Sequence, residues 1–415
     1  MDCWRLAFRP VTAALVGTRT GAGRWLLAAL LVAATGTSAV AAPASPATTP
    51  TTATLTTATL TPRPTVCLAG ATPADLDRLF ESEPGGVLGA DYQRATALPD
   101  GRVLWTFQDA EVRLPNGGRR LVHNIGMVQD GVCFGVLIGG TAGDPRPWLF
   151  AEETTPFRRW YWPLGAEVGA DGRIHVFAAE MNERGPGYLT RVEPSATAVA
   201  IVDPVSLEVA ATARPGDASA SLYGFSIASD QTWTYLFAHC HRQFGFDPYI
   251  EVFAHDIACA PRVTVARVPR GDLLGSPTYW TANGWRADPA AAVPILDTNR
   301  MVNASQFTVV NNQWMAITKI GDWWGDRVVV EYSLRPVGPY EVVAEWVPPT
   351  KCAIDCNNYF ASWIPSAVPG QLVHGLSHNR WDGIATEVYR PTFAALPAPP
   401  ARPLPAERCA LGYCG

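Results

Sequence analysis

Five segments of the chain have a polar residue at or next to their end, at a similar distance beyond a predicted tight turn. Eight residues after the second turn residue come Asp109, Glu180, His239, Ile320 and His378, with Lys319 one step earlier in the fourth segment. Two carboxylic acids held across a bound ligand can act as proton donor and proton acceptor. Asp109 and Glu180 are therefore the candidate catalytic residues, and His239, Lys319 and His378 are candidate binding residues.

The five segments share one plan, an alternating apolar strand, a tight turn and a second strand. They are Tyr92–Asp109, Pro163–Glu180, Leu222–His239, Asn303–Ile320 and Ala361–His378. Their turns are Asp100-Gly101, Asp171-Gly172, Asp230-Gln231, Asn311-Asn312 and Pro369-Gly370. Asp-Gly between apolar alternations is a strong hairpin signal, because a type I′ turn needs positive φ at both central residues. Asn-Asn can also adopt a type I′ turn, whereas Asp230-Gln231 and Pro369-Gly370 imply other turn types.

One or two further strands follow each hairpin, as in Leu121–Val128 and Val132–Ile138. Four strands recurring every 60 to 80 residues or so is the spacing of propeller blades. The sequence therefore predicts an all-β domain over residues 66–395, a five-bladed β-propeller with four-stranded antiparallel blades. Helical periodicity is confined to Pro73–Glu81. A two-sheet sandwich is the alternative, because strand count alone does not separate the two folds.

In a propeller, the starts and ends of such hairpins lie on one face of the disc. The five polar positions are then expected to form a ring around one mouth of the central channel, where a ligand pocket would lie. His123 and Asn124, on the next strand of the first unit, could bond ligand hydroxyls. Four aromatic residues near the strand starts could stack against a ligand ring: Trp160, Trp162, Tyr223 and Trp363.

Short motifs carry a resemblance to a known family. The first unit reads L-W-T-F-Q-D and then L-V-H-N-I-G; later come Trp280-Thr281-Ala282-Asn283-Gly284-Trp285 and Val337-Gly338-Pro339-Tyr340. These resemble the five-bladed propeller proteins of the domain-of-unknown-function families 4185 and 5005. Those families are similar in architecture to the five-bladed glycosidases that act on arabinans, xylans and fructans. The resemblance implies a carbohydrate-related function.

Glycoside hydrolysis needs one protonated carboxyl as acid and one ionised carboxyl as base or nucleophile. On this hypothesis Asp109 is the base and Glu180 the acid or its electrostatic tuner. Five-bladed glycosidases usually carry a third carboxylate on the third blade, where this chain has His239. Either Asp247 or Glu251 supplies it from a loop, or the acid is missing. A non-catalytic propeller that binds glycan, cell wall or protein is the second hypothesis.

The first 42 residues predict export. Four arginines precede an apolar run at Leu26–Ala34, and small residues ending at Ala42 follow, as in a signal peptide. The run is shorter than the roughly 20 residues that span a bilayer, so no permanent membrane span is expected. Residues 43–65 are almost entirely Thr, Ala and Pro, which predicts a disordered spacer. A Pro-rich tail with a Cys pair occupies 396–415, and the protein is expected to be secreted.

The number of cysteines and the net charge limit which disulfides and which classes of partner are expected. Eight cysteines remain after Cys3, an even number that favours disulfides in an exported protein. The local pairings expected are Cys240–Cys259, Cys352–Cys356 and Cys409–Cys414. The chain carries −5, of which residues 1–42 contribute +3, so the remainder carries −8. Without a basic cluster nucleic acid is a poor partner. We predict an extracellular polysaccharide or cell-wall glycan as partner, with no metal and no cofactor.

Overall fold

The computed structural model describes the body of the chain, residues 65–399. The gaps in this range are 154–157, 184–191, 216–220, 241–245, 248–251, 254–262, 297–304, 321–326, 349–355, 366–369 and 381–388. All described residues belong to the second of two units into which the chain divides, residues 48–415. The expected signal segment 1–42, the spacer up to residue 64 and the tail after residue 399 lie outside the described residues.

Five antiparallel sheets form the blades of a propeller. Blade 1 contains β1 (Val66–Cys67), β2 (Val87–Ala90), β3 (Arg94–Ala97), β4 (Val103–Arg113), β5 (Arg119–Asp130) and β6 (Cys133–Leu137). β2 and β3 lie one after the other along β4. Blade 2 contains β9 (Arg159–Val168), β10 (Ile174–Glu183), β11 (Val192–Val202) and β12 (Val209–Ala213). Between them β7 (Gly139–Gly140) pairs with β8 (Pro145–Arg146).

The other three blades follow in chain order. Blade 3 contains β13 (Ser221–Ser229), β14 (Trp233–Cys240), β17 (Val263–Pro269), β18 (Thr278–Thr281) and β19 (Gly284–Arg286); β15 (Phe246–Asp247) pairs separately with β16 (Val252–Phe253). Blade 4 contains β20 (Gln306–Val310), β21 (Gln313–Ile320), β22 (Arg327–Ser333) and β23 (Glu341–Trp346). Blade 5 contains β24 (Cys356–Ile364), β25 (Gln371–Arg380) and β26 (Thr392–Pro397).

The five-bladed propeller is confirmed, but a uniform four-stranded blade is not. Among the described residues only blades 2 and 4 have four strands; blade 3 has five and blade 5 has three. Blade 1 gains an outer strand because β1 pairs with β6, and the Cys67–Cys133 disulfide joins these two strands. The three expected local disulfides involve cysteine side chains outside the described residues.

Short helices occupy the beginning of the domain. The predicted helix at Pro73–Glu81 is α1 (Pro73–Leu76), followed by 3₁₀ turns at Leu79–Ser82 and Pro84–Gly86; a further 3₁₀ turn is Pro289–Ala291. Thr72 and Asp75 form a reciprocal capping box that starts α1. Asp77, which ends it, accepts a hydrogen bond from the backbone N–H of Phe393 at 2.7 Å. The helix thereby joins the start of the domain to blade 5.

The hydrophobic core lies between the faces of neighbouring blades. One cluster combines Leu104 and Trp148 with Ile174 of blade 2, and another combines Phe237 of blade 3 with Trp314 of blade 4. Ile364 of blade 5 packs in the cluster that contains Trp105 of blade 1, so the ring closes. Because strands between two such layers are buried on both faces, they show little strict alternation, as in β21.

Two turn chemistries form the hairpins. Asn311 and Asn312 both have positive φ, 52° and 60°, as a type I′ turn requires. At the two Asp-Gly turns only the glycines have positive φ, 90° at Gly101 and 74° at Gly172. The type I′ expectation is therefore wrong there. Hydrogen bonds from Gly101 N to Leu98 O and from Leu98 N to Arg102 O mark a longer loop with the glycine in the left-handed region.

The first strand of each blade lines a central channel. We call β2–β3, β9, β13, β20 and β24 the inner strands; they contact one another around the ring. The channel has a strand-start mouth, where the inner strands begin, and a hairpin mouth, where the first hairpin of each blade turns.

Candidate active site at the strand-start mouth

Two buried carboxyl groups lie side by side at the strand-start mouth in blade 1. Asp91 follows β2 and Asp109 lies within β4, and they are 7% and 8% exposed. Their backbones pair, with the N–H of Asp91 donating to Asp109 O at 3.0 Å. The N–H of Asp109 donates to Asp91 Oδ1 at 3.1 Å. The pair is thus fixed by backbone geometry rather than by mobile side chains.

Bulges in the inner strands place this pair. The register slips near the same level in four inner strands: at Asp91–Gln93 between β2 and β3, at Leu164–Gly165, at Gly224–Phe225 and at Tyr359. A bulge inserts residues into one strand and re-aims their side chains. It also explains why Asp109 lies opposite Asp91, Glu180 opposite Tyr161 and His378 opposite Asn358. The repeat spacing predicts residues 92, 163 and 361 opposite Asp109, Glu180 and His378, which is one or more residues away from the observed partners.

Asp109 is held by ring N–H groups from two blades. His123 Nδ1 lies 2.5 Å from Asp109 Oδ1, and Trp162 Nε1 donates to the same oxygen at 2.8 Å. Nη2 of Arg158 donates to His123 Nε2 at 3.1 Å. A guanidinium can only donate, so Nε2 must be the acceptor and Nδ1 carries the proton that bonds Asp109. Two N–H donors on one oxygen stabilise the ionised carboxylate.

Trp160 holds the His123 ring in place. The two rings stack with centroids 5.1 Å apart and 20° between planes, and Trp160 meets Trp162 edge to face at 5.8 Å. The Arg158 guanidinium lies 5.4 Å from the Trp160 ring centroid, in cation–π geometry. Trp160 and Trp162, both predicted from sequence as binding residues, therefore lie at this site, and Trp160 is buried as a packing residue.

Asp91 lies in a different electrostatic environment. Tyr359 donates its hydroxyl to Asp91 Oδ2 at 2.7 Å, and Tyr389 is a further hydrogen-bond partner. Burial, and after it the neighbouring Asp109 carboxylate, raise the pKa of Asp91 to about 8. Burial and Asp91 also keep the pKa of Tyr359 well above its usual range, so this phenol remains a donor. At neutral pH Asp91 is therefore the protonated member of the pair.

The residue after Asp91 is strained. Tyr92 has φ of +49°, in the left-handed region that side chains disfavour. Its N–H donates to Ser377 Oγ of blade 5 at 2.9 Å, and its ring packs 4.7 Å from that of Phe360. Strain of this kind persists where the surrounding structure fixes it, and it is common at functional sites.

A small cavity of about 20 Å³ lies beside the chain neighbours of the pair, Tyr92 and Gln108, and beside Trp162, the hydrogen-bond partner of Asp109. Tyr92, Gln108 and Trp162 line it on one side, and Leu164, Leu222 and Phe225 close it. One water fits in such a space, which needs at least about 10–15 Å³. A sugar ring does not fit inside, so a glycan would have to lie across the mouth above it.

Glu180, the predicted second catalytic carboxyl, is held inside blade 2. It is 6% exposed and accepts hydrogen bonds from Tyr161 Oη at 2.9 Å, from Ser195 Oγ at 2.7 Å and from Arg214 Nη2. Burial alone would raise the pKa of Glu180, but the bonds from Ser195 and Arg214 outweigh it and lower that pKa. A carboxylate kept ionised in this way suits an electrostatic role and does not suit a general acid.

Asn124 serves structure rather than ligand binding. Its Oδ1 accepts from the N–H of Leu149 at 2.8 Å, and its Nδ2 donates to the carbonyl of Tyr161 at 3.1 Å. The side chain is fully buried, and φ is +47°. Both ends of the amide are occupied, so the expectation that Asn124 bonds ligand hydroxyls is corrected: it joins blade 1 to blade 2.

The remaining predicted residues are buried within their own blades or lie outside the described residues, and their grouping around the mouth stays a prediction. Lys319, 1% exposed, donates to Ile320 O, and His378, fully buried, contacts Thr392 Oγ1 of its own blade. Tyr223 is buried edge to face against Tyr279 within blade 3. The side chains of His239, Asp247 and Glu251 lie outside the described residues. Trp363 is corrected: it lies near the end of β24, across from His374, and so borders the hairpin mouth.

Sequence reasoning missed the residues that complete the site, which are Asp91, Tyr359 and Arg158. The only sequence signal was position, since Asp91 precedes the first predicted hairpin by one residue. Tyr359 of blade 5 and Arg158, which precedes blade 2, approach Asp91 of blade 1 only because the inner strands are bulged and these three blades are neighbours in the ring.

Within the described ranges, no three His, Cys, Asp or Glu side chains are grouped so as to hold a metal ion. The described helices are also all too short or too polar to traverse a bilayer.

The fold and this mouth define a five-bladed β-propeller with a buried carboxyl pair. The family model of Domain of unknown function (DUF5005) matches residues 74–346, about two thirds of the chain. The protein belongs to that family, and the expected resemblance to it is confirmed. The resemblance to family 4185 stays a prediction.

Solved structures resemble the chain at low sequence identity. A "putative hydrolase" from Bacteroides ovatus ATCC 8483 is 16% identical, with a TM-score of 0.56 over 74% of this chain and 85% of that one. A GH43_1 enzyme from Xanthomonas citri is 15% identical, with a TM-score of 0.44 over 83% and 93%. An α-L-arabinofuranosidase from Lactobacillus brevis is 11% identical, with a TM-score of 0.38 over 74% and 90%. No curated protein matches the chain.

Proposed function

We propose that this protein is a secreted, carbohydrate-active propeller that hydrolyses glycosidic bonds at the strand-start mouth. The observation that carries the proposal is the Asp91–Asp109 pair, in which two adjoining buried carboxyls have opposite environments. A buried carboxyl whose pKa is raised, next to a carboxyl that accepts from two ring N–H groups, matches the acid and the base of hydrolytic sites.

Asp91 and Asp109 have separate roles in this proposal. Asp91, protonated at neutral pH, gives its proton to the glycosidic oxygen as the bond from that oxygen to the anomeric carbon breaks. Asp109, held by His123 and Trp162, either takes the proton of the water that attacks the anomeric carbon, or attacks that carbon itself to form a glycosyl ester, which water then hydrolyses with Asp91 as its base. This revises the sequence hypothesis: Asp109 keeps its role as base, and Asp91 replaces Glu180 as acid.

Other features support a glycan substrate outside the cell. The aromatic rings of Tyr92 and Trp162 border the pair and offer surfaces on which a sugar ring can stack. The signal-like segment 1–42 and the Thr/Pro-rich spacer favour an extracellular polysaccharide or cell-wall glycan over an intracellular metabolite. The Bacteroides ovatus protein of the same fold is described as a putative hydrolase.

The test is release of reducing sugar from a panel of arabinans, xylans, fructans and cell-wall glycans. Wild type is expected to act on at least one of them, and Asp91→Asn and Asp109→Asn are each expected to lose at least about a hundredfold in rate. Asp100→Asn is the matched control, because Asp100 is an exposed turn residue bonded to Arg102. Turnover that persists in both site variants would refute the proposal.

A non-catalytic glycan-binding propeller is the second candidate. The small cavity beside the pair favours it, since a sugar ring cannot enter there, and so does the histidine at the third-blade position. Glycan-array binding that survives the double variant Asp91→Asn/Asp109→Asn, without hydrolysis by wild type, would establish binding. Absence of binding to every glycan would refute it.

A further inference from the structure

A buried arginine lies three residues along the chain from Asp91, at the start of β3. This residue, Arg94, is 5% exposed, and its Nη1 donates to the carbonyl of Tyr92 at 3.1 Å. The same nitrogen donates to the carbonyl of Pro163 in β9 at 3.0 Å. The guanidinium therefore joins the backbone beside Asp91 to the inner strand of blade 2.

Aromatic rings from three blades surround the guanidinium of Arg94. Its carbon lies 4.6 Å from the ring centroid of Phe360 in blade 5, 4.9 Å from that of Phe225 in blade 3 and 6.0 Å from that of Tyr92 in blade 1. These three residues and Pro163 all lie at or next to the bulges of their inner strands. Arg94 thus contacts the bulged segments of four inner strands, and one of these segments carries the carboxyl pair's first member.

The charge of Arg94 makes no hydrogen bond to a carboxylate within the described part of the chain. Both acceptors of its Nη1 are backbone carbonyls, and its Nε and Nη2 are buried without an acceptor among the described residues. Because these two nitrogens are closed off from solvent, a ligand in the channel does not reach them. A cation buried in this way is costly unless a charge in its surroundings compensates it.

Asp91 is the carboxyl whose charge acts on this cation. Burial lowers the pKa of Arg94 to about 9, and the charges of Tyr92 and Asp91 work against that shift. The guanidinium is therefore charged at neutral pH. An electrostatic interaction between two titrating groups is mutual, so the charge of Arg94 favours the ionised form of Asp91. The other groups that act on Asp91 are the carboxylate of Asp109 and the hydroxyls of Tyr359 and Tyr389.

We infer that Arg94 is a positioning residue of the carboxyl pair: it holds the bulged segment that carries Asp91, and its charge stabilises the carboxylate that Asp91 becomes when it gives up its proton. The second role rests on the proposed function. In that reaction the O–H bond of Asp91 breaks, the proton passes to the glycosidic oxygen, and the electron pair stays on the carboxylate. A fixed buried cation compensates the new charge without any rearrangement of its surroundings.

The experiment measures the native pKa of Asp91 in the full chain, with and without the charge of Arg94, by urea unfolding from pH 5 to pH 10. In each background, protein with Asp91 is compared with its Asp91→Asn counterpart, and the difference in unfolding free energy stops growing at the native pKa of Asp91. Arg94→Met should move that point from about 8 to about 9 or above, because loss of a nearby opposite charge raises the pKa of a carboxyl. Arg94→Lys keeps the charge and should leave the point near 8.

A merely structural role predicts the opposite shift, since a loosened site admits water and lowers the pKa of Asp91. An unchanged or lower point in Arg94→Met would therefore overturn the inference. Arg94→Gln, which keeps a donor for the two carbonyls, decides if Arg94→Met does not fold. If neither folds, Arg94→Lys decides, because a rise of the point by about one pH unit despite the retained charge would equally overturn the inference.

The second readout is the pH profile of kcat/KM on a glycan that the wild type cleaves. Arg94→Met should lower kcat at least about tenfold and move the alkaline fall of kcat/KM to higher pH, whereas Arg94→Lys should restore the wild-type position of that fall. An alkaline fall at the same pH in wild type and Arg94→Met would contradict the charge role. A shifted unfolding profile without hydrolysis of any glycan would support the role of Arg94 and refute the proposed function alone.

Discussion

Replacing Asp91 with asparagine should make the protein more stable at alkaline pH and leave it little changed at acid pH. Asparagine is a neutral isostere of the protonated carboxyl and retains an oxygen that can accept from the N–H of Asp109. In wild type the native protein holds a proton on Asp91 that the unfolded chain releases. The stabilising effect of that proton is complete below the ordinary pKa of 3.8 and is lost as pH rises to about 8.

The size of the effect follows from the pH range between the ordinary pKa of 3.8 and the native pKa of about 8. Stability falls by at most about 1.4 kcal/mol per pH unit while only the native state keeps the proton. From pH 5 to pH 8 the wild type therefore loses up to about 4 kcal/mol that Asp91→Asn does not lose. Proton sharing with Asp109 reduces this figure, so a difference of about 2–4 kcal/mol is expected at pH 8.

The assay is urea unfolding of wild type and variant at pH 5, 6, 7 and 8. The difference in unfolding free energy should grow steadily with pH in favour of Asp91→Asn. Asp100→Asn is the control: hydrogen bonds from Arg102 lower the pKa of Asp100, so its difference from wild type should be flat over this range. A flat difference for Asp91→Asn would show that Asp91 is not protonated in the native protein.

Three further substitutions probe the supporting structure. Glu180→Gln should lower the free energy of unfolding by about 1–3 kcal/mol at pH 7, because Arg214 loses the carboxylate that compensates its charge and keeps only neutral acceptors; in urea unfolding this loss should shrink as pH falls below the ordinary value of 4.5, where the wild type also loses the charge. Asn124→Ala should cost about 2–4 kcal/mol by leaving buried backbone groups of two blades unpaired, and a thermal midpoint equal to wild type would contradict this role. Cys67→Ser with Cys133→Ser should cost about 2–5 kcal/mol, and an unchanged urea midpoint would count against the disulfide as a stabilising link.

The propeller could be predicted from sequence because its determinants are local. Hairpin turns such as Asp171-Gly172 and Asn311-Asn312 recur with apolar strands around them, and this spacing sets the number of blades. The pairing of Cys67 with Cys133 could not be predicted in the same way. It depends on a short N-terminal strand that joins the outer edge of blade 1, 66 residues away in sequence.

The site was only half predictable, because bulges do not appear in a residue count. Asp109, Trp160 and Trp162 were found from their positions beside the turns and strand starts. Counting back across the first hairpin reached Tyr92 and so passed over Asp91 by one residue. Trp363 was assigned to the wrong mouth because β24 begins at Cys356, five residues before the strand start expected from the repeat.

The most direct test of the account is the pH dependence of kcat/KM on a glycan that the wild type cleaves. With Asp91 as the acid, kcat/KM should fall as pH rises through about 8, since the carboxyl loses the proton it must donate. Asp91→Asn should abolish turnover, while Asp100→Asn should follow the wild-type profile. A wild-type profile that stays flat to pH 9 or above, or wild-type turnover by Asp91→Asn, would contradict the assignment of Asp91 and Asp109 as acid and base.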